Sequence, residues 1–169
     1  MADRVSDFLR QWARERPDLE VAPMGVVGRL GRAAEMVARG TQEYFAAHGL
    51  QHGQFDVLAT LRRSGRPFTL TPGALADSTM LSQAAMTNRL TRLEAKGLID
   101  RRTDPTNRRS VLVSLTDDGL ALVDRIVEGH LENERRLLDP LTAAEQARLA
   151  ALLEKWLAGS GDVSHAERD

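Results

Sequence analysis

The stretch TPGALADSTMLSQAAMTNRLTRLEAKGLIDRRTDPTNRRSVLVSLT, residues 71–116, decides the fold. Thr71-Pro72 reads as a helix N-cap followed by proline at the first helical position, where its missing N–H costs nothing. A short helix through Ala74, Leu75 and Ala76 follows. Ser82 then caps an amphipathic helix that ends at Gly97. Its Met86, Leu90 and Leu93 share one face, while Ala84, Thr87, Asn88, Thr91 and Ala95 lie opposite. Beyond Gly97, Leu98–Arg102 and Ser110–Leu115 alternate as strands around Asp104-Pro105-Thr106-Asn107, a turn-forming run. Short helix, turn, amphipathic helix and β-hairpin is the order of a winged helix-turn-helix.

Outward from this unit the periodicity is helical. Val5, Phe8, Leu9 and Trp12 mark one face of a helix from about Asp3 to Glu15, which Pro17 stops. A long helix from near Pro23 to His48 carries Met24, Val27, Leu30, Ala34, Val37 and Phe45, and a third carries Phe55, Leu58 and Leu61. Thr116 caps a helix reaching Leu138. After Pro140, Thr142-Ala-Ala-Glu145 is a capping box for a last helix with Leu149, Leu152, Leu153, Trp156 and Leu157. The polar tail from Gly159 is expected to fray. The expected fold is mainly α with a small β-hairpin wing. Residues 51–116 form a DNA-binding lobe, and residues 1–50 and 117–169 form a helical dimerisation lobe.

Composition narrows the function. The 169-residue chain is 42% hydrophobic, enough for one domain with a real core. No apolar run approaches the roughly 20 residues of a membrane span, and Met1–Arg10 is too charged for a signal sequence, so a cytoplasmic protein without a membrane partner is expected. With no cysteine, disulfides, thiolate metal sites and thiol chemistry are absent. His48 and His52 stand four apart but lack a third ligand, so no metal is expected. No nucleophile elbow or paired carboxylates appear, and neither catalytic residues nor a cofactor is assigned. Gly25, Gly28 and Gly31 fall inside a helical pattern and read as close helix packing, not as a phosphate loop.

The formal net charge of −1 looks wrong for a nucleic-acid binder. Its distribution resolves this. Arg89, Arg92, Lys96, Arg101, Arg102, Arg108 and Arg109 outnumber Glu94, Asp100 and Asp104 in one segment, while acids gather in Asp117, Asp118, Asp124, Glu128, Glu132 and Glu134. A helix face of small hydroxyl and amide side chains suits base edges in a major groove. The DNA-contacting set is therefore Thr71, Ser82, Gln83, Ala84, Thr87, Asn88, Thr91, Arg92, Arg108 and Arg109. The same features also fit a helical dimer that binds another protein without DNA. Steep salt dependence separates the two.

Phe55-Asp-Val-Leu58, Leu70-Thr-Pro72, Leu75-Ala-Asp77, Met86-Thr-Asn-Arg-Leu90, Gly97-Leu-Ile99, Arg101-Arg102, Asp104-Pro105, Asn107-Arg-Arg109 and Val113-Ser-Leu-Thr116 together resemble the MarR family, densely over residues 51–120. The resemblance implies a homodimeric regulator, a repressor, on palindromic double-stranded DNA. It also implies a wing whose tip arginine, here Arg109 with Arg108 beside it, enters the minor groove. The usual motif has aspartate where this chain has Asn107, which removes a carboxylate expected to orient that arginine. Trp12, Pro17-Asp-Leu19, Asp56 and Arg89 resemble the urate-responsive branch. There, matching residues line or control a site for a small-molecule effector, so urate or a related small anion is the expected ligand of Trp12, Asp56 and Arg89. Arg89 lies beside the Met86 and Leu93 edge, so its charge points partly inward and would favour a carboxylate such as Asp56.

Overall fold

The computed structural model describes residues 2–79 and 83–161. Ser82, the Gln83 side chain and the tail beyond 161 lie outside the described residues. Among those described are seven helices and a three-stranded antiparallel sheet: α1 Arg4–Glu15, α2 Ala22–Ala47, α3 His52–Arg63, β1 Thr69–Leu70, α4 Pro72–Thr79, α5 Gln83–Ala95, β2 Ile99–Asp104, β3 Asn107–Leu115, α6 Asp117–Leu138 and α7 Ala143–Gly159. The expectation of a mainly helical winged helix-turn-helix holds. The chain divides into two compact units, residues 1–130 and 131–169.

The helix boundaries follow their caps. Asp3 accepts the Ser6 N–H at 2.9 Å, Thr71 Oγ1 accepts the Ala74 N–H at 3.2 Å, and Thr116 Oγ1 accepts the Gly119 N–H at 3.0 Å. Gly97, at φ +68°, ends α5 in the left-handed conformation that glycine adopts without strain. The two main strands run longer than the sequence pattern indicates. Asp104 pairs with Asn107, so the turn shrinks to Pro105-Thr106, with a register shift at Thr103/Asp104. A third strand, β1, pairs with β3 through Thr69–Ser114 and Leu70–Val113, giving the order β1-β3-β2.

The core of the first unit gathers under this sheet. Leu58, Leu61, Leu75, Met86, Leu93 and Val113 are fully buried, each side chain contributing about 1.5–3 kcal/mol through transfer from water. Phe45 stacks on Phe55 at 4.4 Å, His130 packs against both rings, and the Tyr44 hydroxyl donates to the Ile126 carbonyl at 2.9 Å; these contacts join α2, α3 and α6. Gly25 and Gly28 do serve close packing. Cβ atoms there would come within 3.1 Å of Leu9 and 3.3 Å of Val5, so α1 lies directly on α2, while Gly31 meets nothing. Arg29 clamps the pair by donating to Asp3 and Ser6, and it holds the Asp3 carboxyl far below its usual range.

Candidate nucleic-acid interface

Helix α5 is two-faced in the sense that its sequence requires. Met86, Leu90 and Leu93 are buried, and Ala84, Thr87, Asn88, Thr91, Arg92 and Ala95 are exposed. The Thr91 hydroxyl donates back to the Thr87 carbonyl at 3.0 Å, so its oxygen lone pairs and methyl are what it offers outward. Helix α4 packs against α5, with Leu75 and Ala76 in the core. Thr71 is half-buried at the start of α4.

The wing is held by a small polar network. Arg101 on β2 grips Glu94 on α5 through both Nε and Nη2, with Nε to Oε2 at 2.9 Å. This pairing keeps Glu94 below the ordinary carboxylate range. At the tip, Asp104 accepts the Thr106 hydroxyl at 2.7 Å and the Thr106 N–H at 2.8 Å, and those bonds lower its pKa. Asn107 Oδ1 accepts the Arg109 N–H at 3.2 Å. The amide thus shapes the Arg109 backbone, as an Asx turn does, and leaves the guanidinium to the surroundings. Arg108 and Arg109 are both exposed.

The three residues expected around a ligand are not gathered together. The Arg89 guanidinium lies on Gly53 of α3, where a Cβ would overlap it, and its Nη1 is buried with no hydrogen-bond partner among the described residues. Asp56 is half-buried one turn further along α3. Trp12, 43% exposed, lines a separate groove of about 390 Å³ between α1 and α2 with Phe8, Leu9 and Met24. Gly53 is the contact that sequence reasoning missed. A glycine inside a helical pattern was its only signal. No group of three or more histidine, aspartate or glutamate side chains among the described residues could hold a metal ion. No described helix is long and apolar enough to cross a membrane.

A helix-turn-helix whose second helix presents a polar face beside an arginine-bearing hairpin defines a winged-helix protein. The chain matches the MarR family model over residues 48–110. It is 44% identical to the HTH-type transcriptional regulator PecS of Dickeya dadantii over 149 residues, covering 88% of this chain and 90% of that protein. Among solved structures, it is similar to a cysteine-to-serine mutant of Escherichia coli MarR complexed with operator DNA, at TM-score 0.70 and 29% identity over 86% of this chain and 97% of that one. It is also similar to Bordetella bronchiseptica BpsR, whose DNA binding is regulated by 6-hydroxynicotinic acid, at TM-score 0.69 and 31% identity over 78% and 91% of the two chains. The chain belongs to the MarR family. It is a transcription regulator and not an enzyme.

Proposed function

We propose that the protein is a homodimeric repressor that binds a palindromic double-stranded operator and releases it when a small anion binds. The observation that carries the DNA reading is the exposed Thr87, Asn88 and Thr91 face, set beside exposed Arg108 and Arg109 on a helix whose other face is locked into the core. Residues 51–116 form the DNA-reading lobe, and residues 1–50 and 117–169 form the dimerisation lobe. Exposed Phe8, Trp12, Val27 and Val37 in the first helices, with Leu152 and Trp156 in α7, support a second copy as their cover.

Two substitutions test the interface together. Asn88→Ala should cost about 1–3 kcal/mol on a specific site and much less on random DNA. Arg109→Ala should weaken binding to all sequences and lower the log–log salt slope by about 1. Binding titrations at several salt concentrations read both effects. Unchanged affinity and slope in Arg109→Ala would take the wing off the DNA, and equal losses on both DNAs in Asn88→Ala would make that face a positioning surface.

The effector reading rests on Arg89, whose buried, unpartnered Nη1 is a cationic donor suited to an anion, with Asp56 one turn from its Gly53 contact; Trp12, in its own groove between α1 and α2, is kept as a third member on the family resemblance alone. Urate or a related small anion is the proposed ligand, and regulation of BpsR by 6-hydroxynicotinic acid supports an effector of that class. A tenfold release requires the ligand to favour the DNA-free state by about 1.4 kcal/mol. Trp12→Phe should blunt urate-driven release with little change in DNA affinity, because Trp12 lies away from α5. Calorimetry without DNA runs alongside. An absence of both heat and release with wild type at about millimolar urate would remove urate as the ligand.

A further inference from the structure

The wing projects from the body as an unsupported arm. Strand β1 backs it only through Thr69–Ser114 and Leu70–Val113, so from Leu112 to the tip β2 and β3 form a bare two-stranded ribbon, which is marginal by itself in water. Arg101 pairs across the sheet with Val113, on the last rung that β1 covers. That rung is where the ribbon leaves the body. Arg109 lies four residues further along β3, about 13 Å out at about 3.3 Å per residue, so any swing at the rung grows at the tip.

Glu94 meets this rung from α5. It stands three residues after Thr91 and seven after Thr87, on the same side of the helix, and its Oε2 accepts from Nε of Arg101 at 2.9 Å and from Nη2 as well. The covalent path between the two residues runs through the Gly97 turn, at φ +68°. Thr116 ties that turn by its bonds to Gly97 and Leu98, three positions further back along the strands, so the Glu94–Arg101 pair is a second point of attachment nearer the ribbon. The Arg101 and Glu94 side chains are 30% and 38% exposed, which shields the pair from salt better than an open surface pair. An unpaired carboxylate beside a DNA-reading face would oppose binding. Its use lies in the pairing.

We propose that Glu94 and Arg101 are positioning residues for DNA recognition: their bridge sets the wing at a fixed angle to α5, so that Arg108, Arg109 and the Thr87, Asn88 and Thr91 face meet one duplex as a single rigid surface. The inference rests on the DNA-binding reading. A free wing would have to be ordered at the moment of binding, and the bridge removes that cost beforehand.

Glu94→Gln tests this with a sign that charge cannot mimic. The change is isosteric and removes one negative charge beside the duplex, which through the field alone would tighten binding. Lost positioning predicts the reverse, a loss of about threefold for each wing and so about tenfold for a dimer. Titrations use the full chain and a duplex selected by the wild type from a random pool. Arg109→Ala should cost less in the Glu94→Gln background than in wild type, because a loosened wing has less to lose. Exchanging the partners, Glu94→Arg with Arg101→Glu, keeps the net charge and should recover most of the affinity. Without DNA, amide hydrogen exchange should quicken at residues 102–104 and 107–112 in Glu94→Gln and stay unchanged at buried Leu58, Leu75 and Met86. Wild type that selects no duplex would refute the DNA reading, whereas the exchange measurement decides the bridge in either case. The proposal itself is overturned by Glu94→Gln binding as tightly as wild type or more so, by equal costs of Arg109→Ala in both backgrounds, by a swapped pair no better than Glu94→Gln, or by unquickened exchange in the wing.

Discussion

Gly119→Ala is expected to destabilise the protein by at least about 3 kcal/mol, the upper part of the range for overpacked sites. A Cβ on Gly119 would fall on the carbonyl group of Leu98, which is backbone and has no rotamer to move into. The surroundings are tied on every side. The Leu98 carbonyl accepts the Thr116 N–H at 3.2 Å, the Thr116 hydroxyl donates to the Gly97 carbonyl at 2.7 Å, and the Gly119 N–H returns to Thr116. Relieving the overlap means lifting the first turn of α6 away from the end of α5 and the root of β2, and breaking that set of bonds. Denaturant unfolding measures the loss. An unaltered midpoint would show that this junction yields more than its hydrogen bonds imply.

That junction also marks where the sequence was readable and where it was not. Thr116 and Thr142 announce helix starts through their own side chains, and Met86, Leu90 and Leu93 announce a buried face through spacing. Both are local signals. Strand β1 has only two residues, too few for any period, and it exists because Ser114 and Val113 return beside it some 45 residues later. The overlap at Gly119 and the seat of Arg89 on Gly53 depend equally on distant partners, so each appears in the sequence only as one more glycine. The Tyr44, Phe45, Phe55 and His130 cluster likewise draws on three helices. The apolar stripes of α1, α2 and α7 were visible. Sequence could not tell that much of them stays uncovered within one chain.

The uncovered stripe on α7 sets the remaining expectation, that removing residues from Pro140 onward abolishes the dimer and high-affinity operator binding. Thr142 and Glu145 cap α7 reciprocally, with the Glu145 carboxylate accepting the Thr142 N–H at 2.8 Å, so the helix is well specified. Yet no residue of α7 is buried, and Leu149, Leu152, Trp156 and Leu157 are 41–58% exposed. Covering the exposed half of such side chains is worth about 0.7–1.5 kcal/mol apiece, and a second copy offers the same stripe back across a two-fold axis. Two recognition helices about one DNA turn apart then engage both half-sites at once. A truncated chain keeps the helix-turn-helix and wing, whose core lies in the first unit, so it should still bind DNA weakly and without preference. Its operator affinity should fall by about a thousandfold or more, the usual gap between specific and non-specific binding. Sedimentation velocity and operator titration read the two effects, with circular dichroism to verify that the remaining helices persist. A truncated protein that sediments as a clean dimer and holds its operator would move the interface to α1 and α2, where Phe8, Met24, Val26 and Val27 are also exposed.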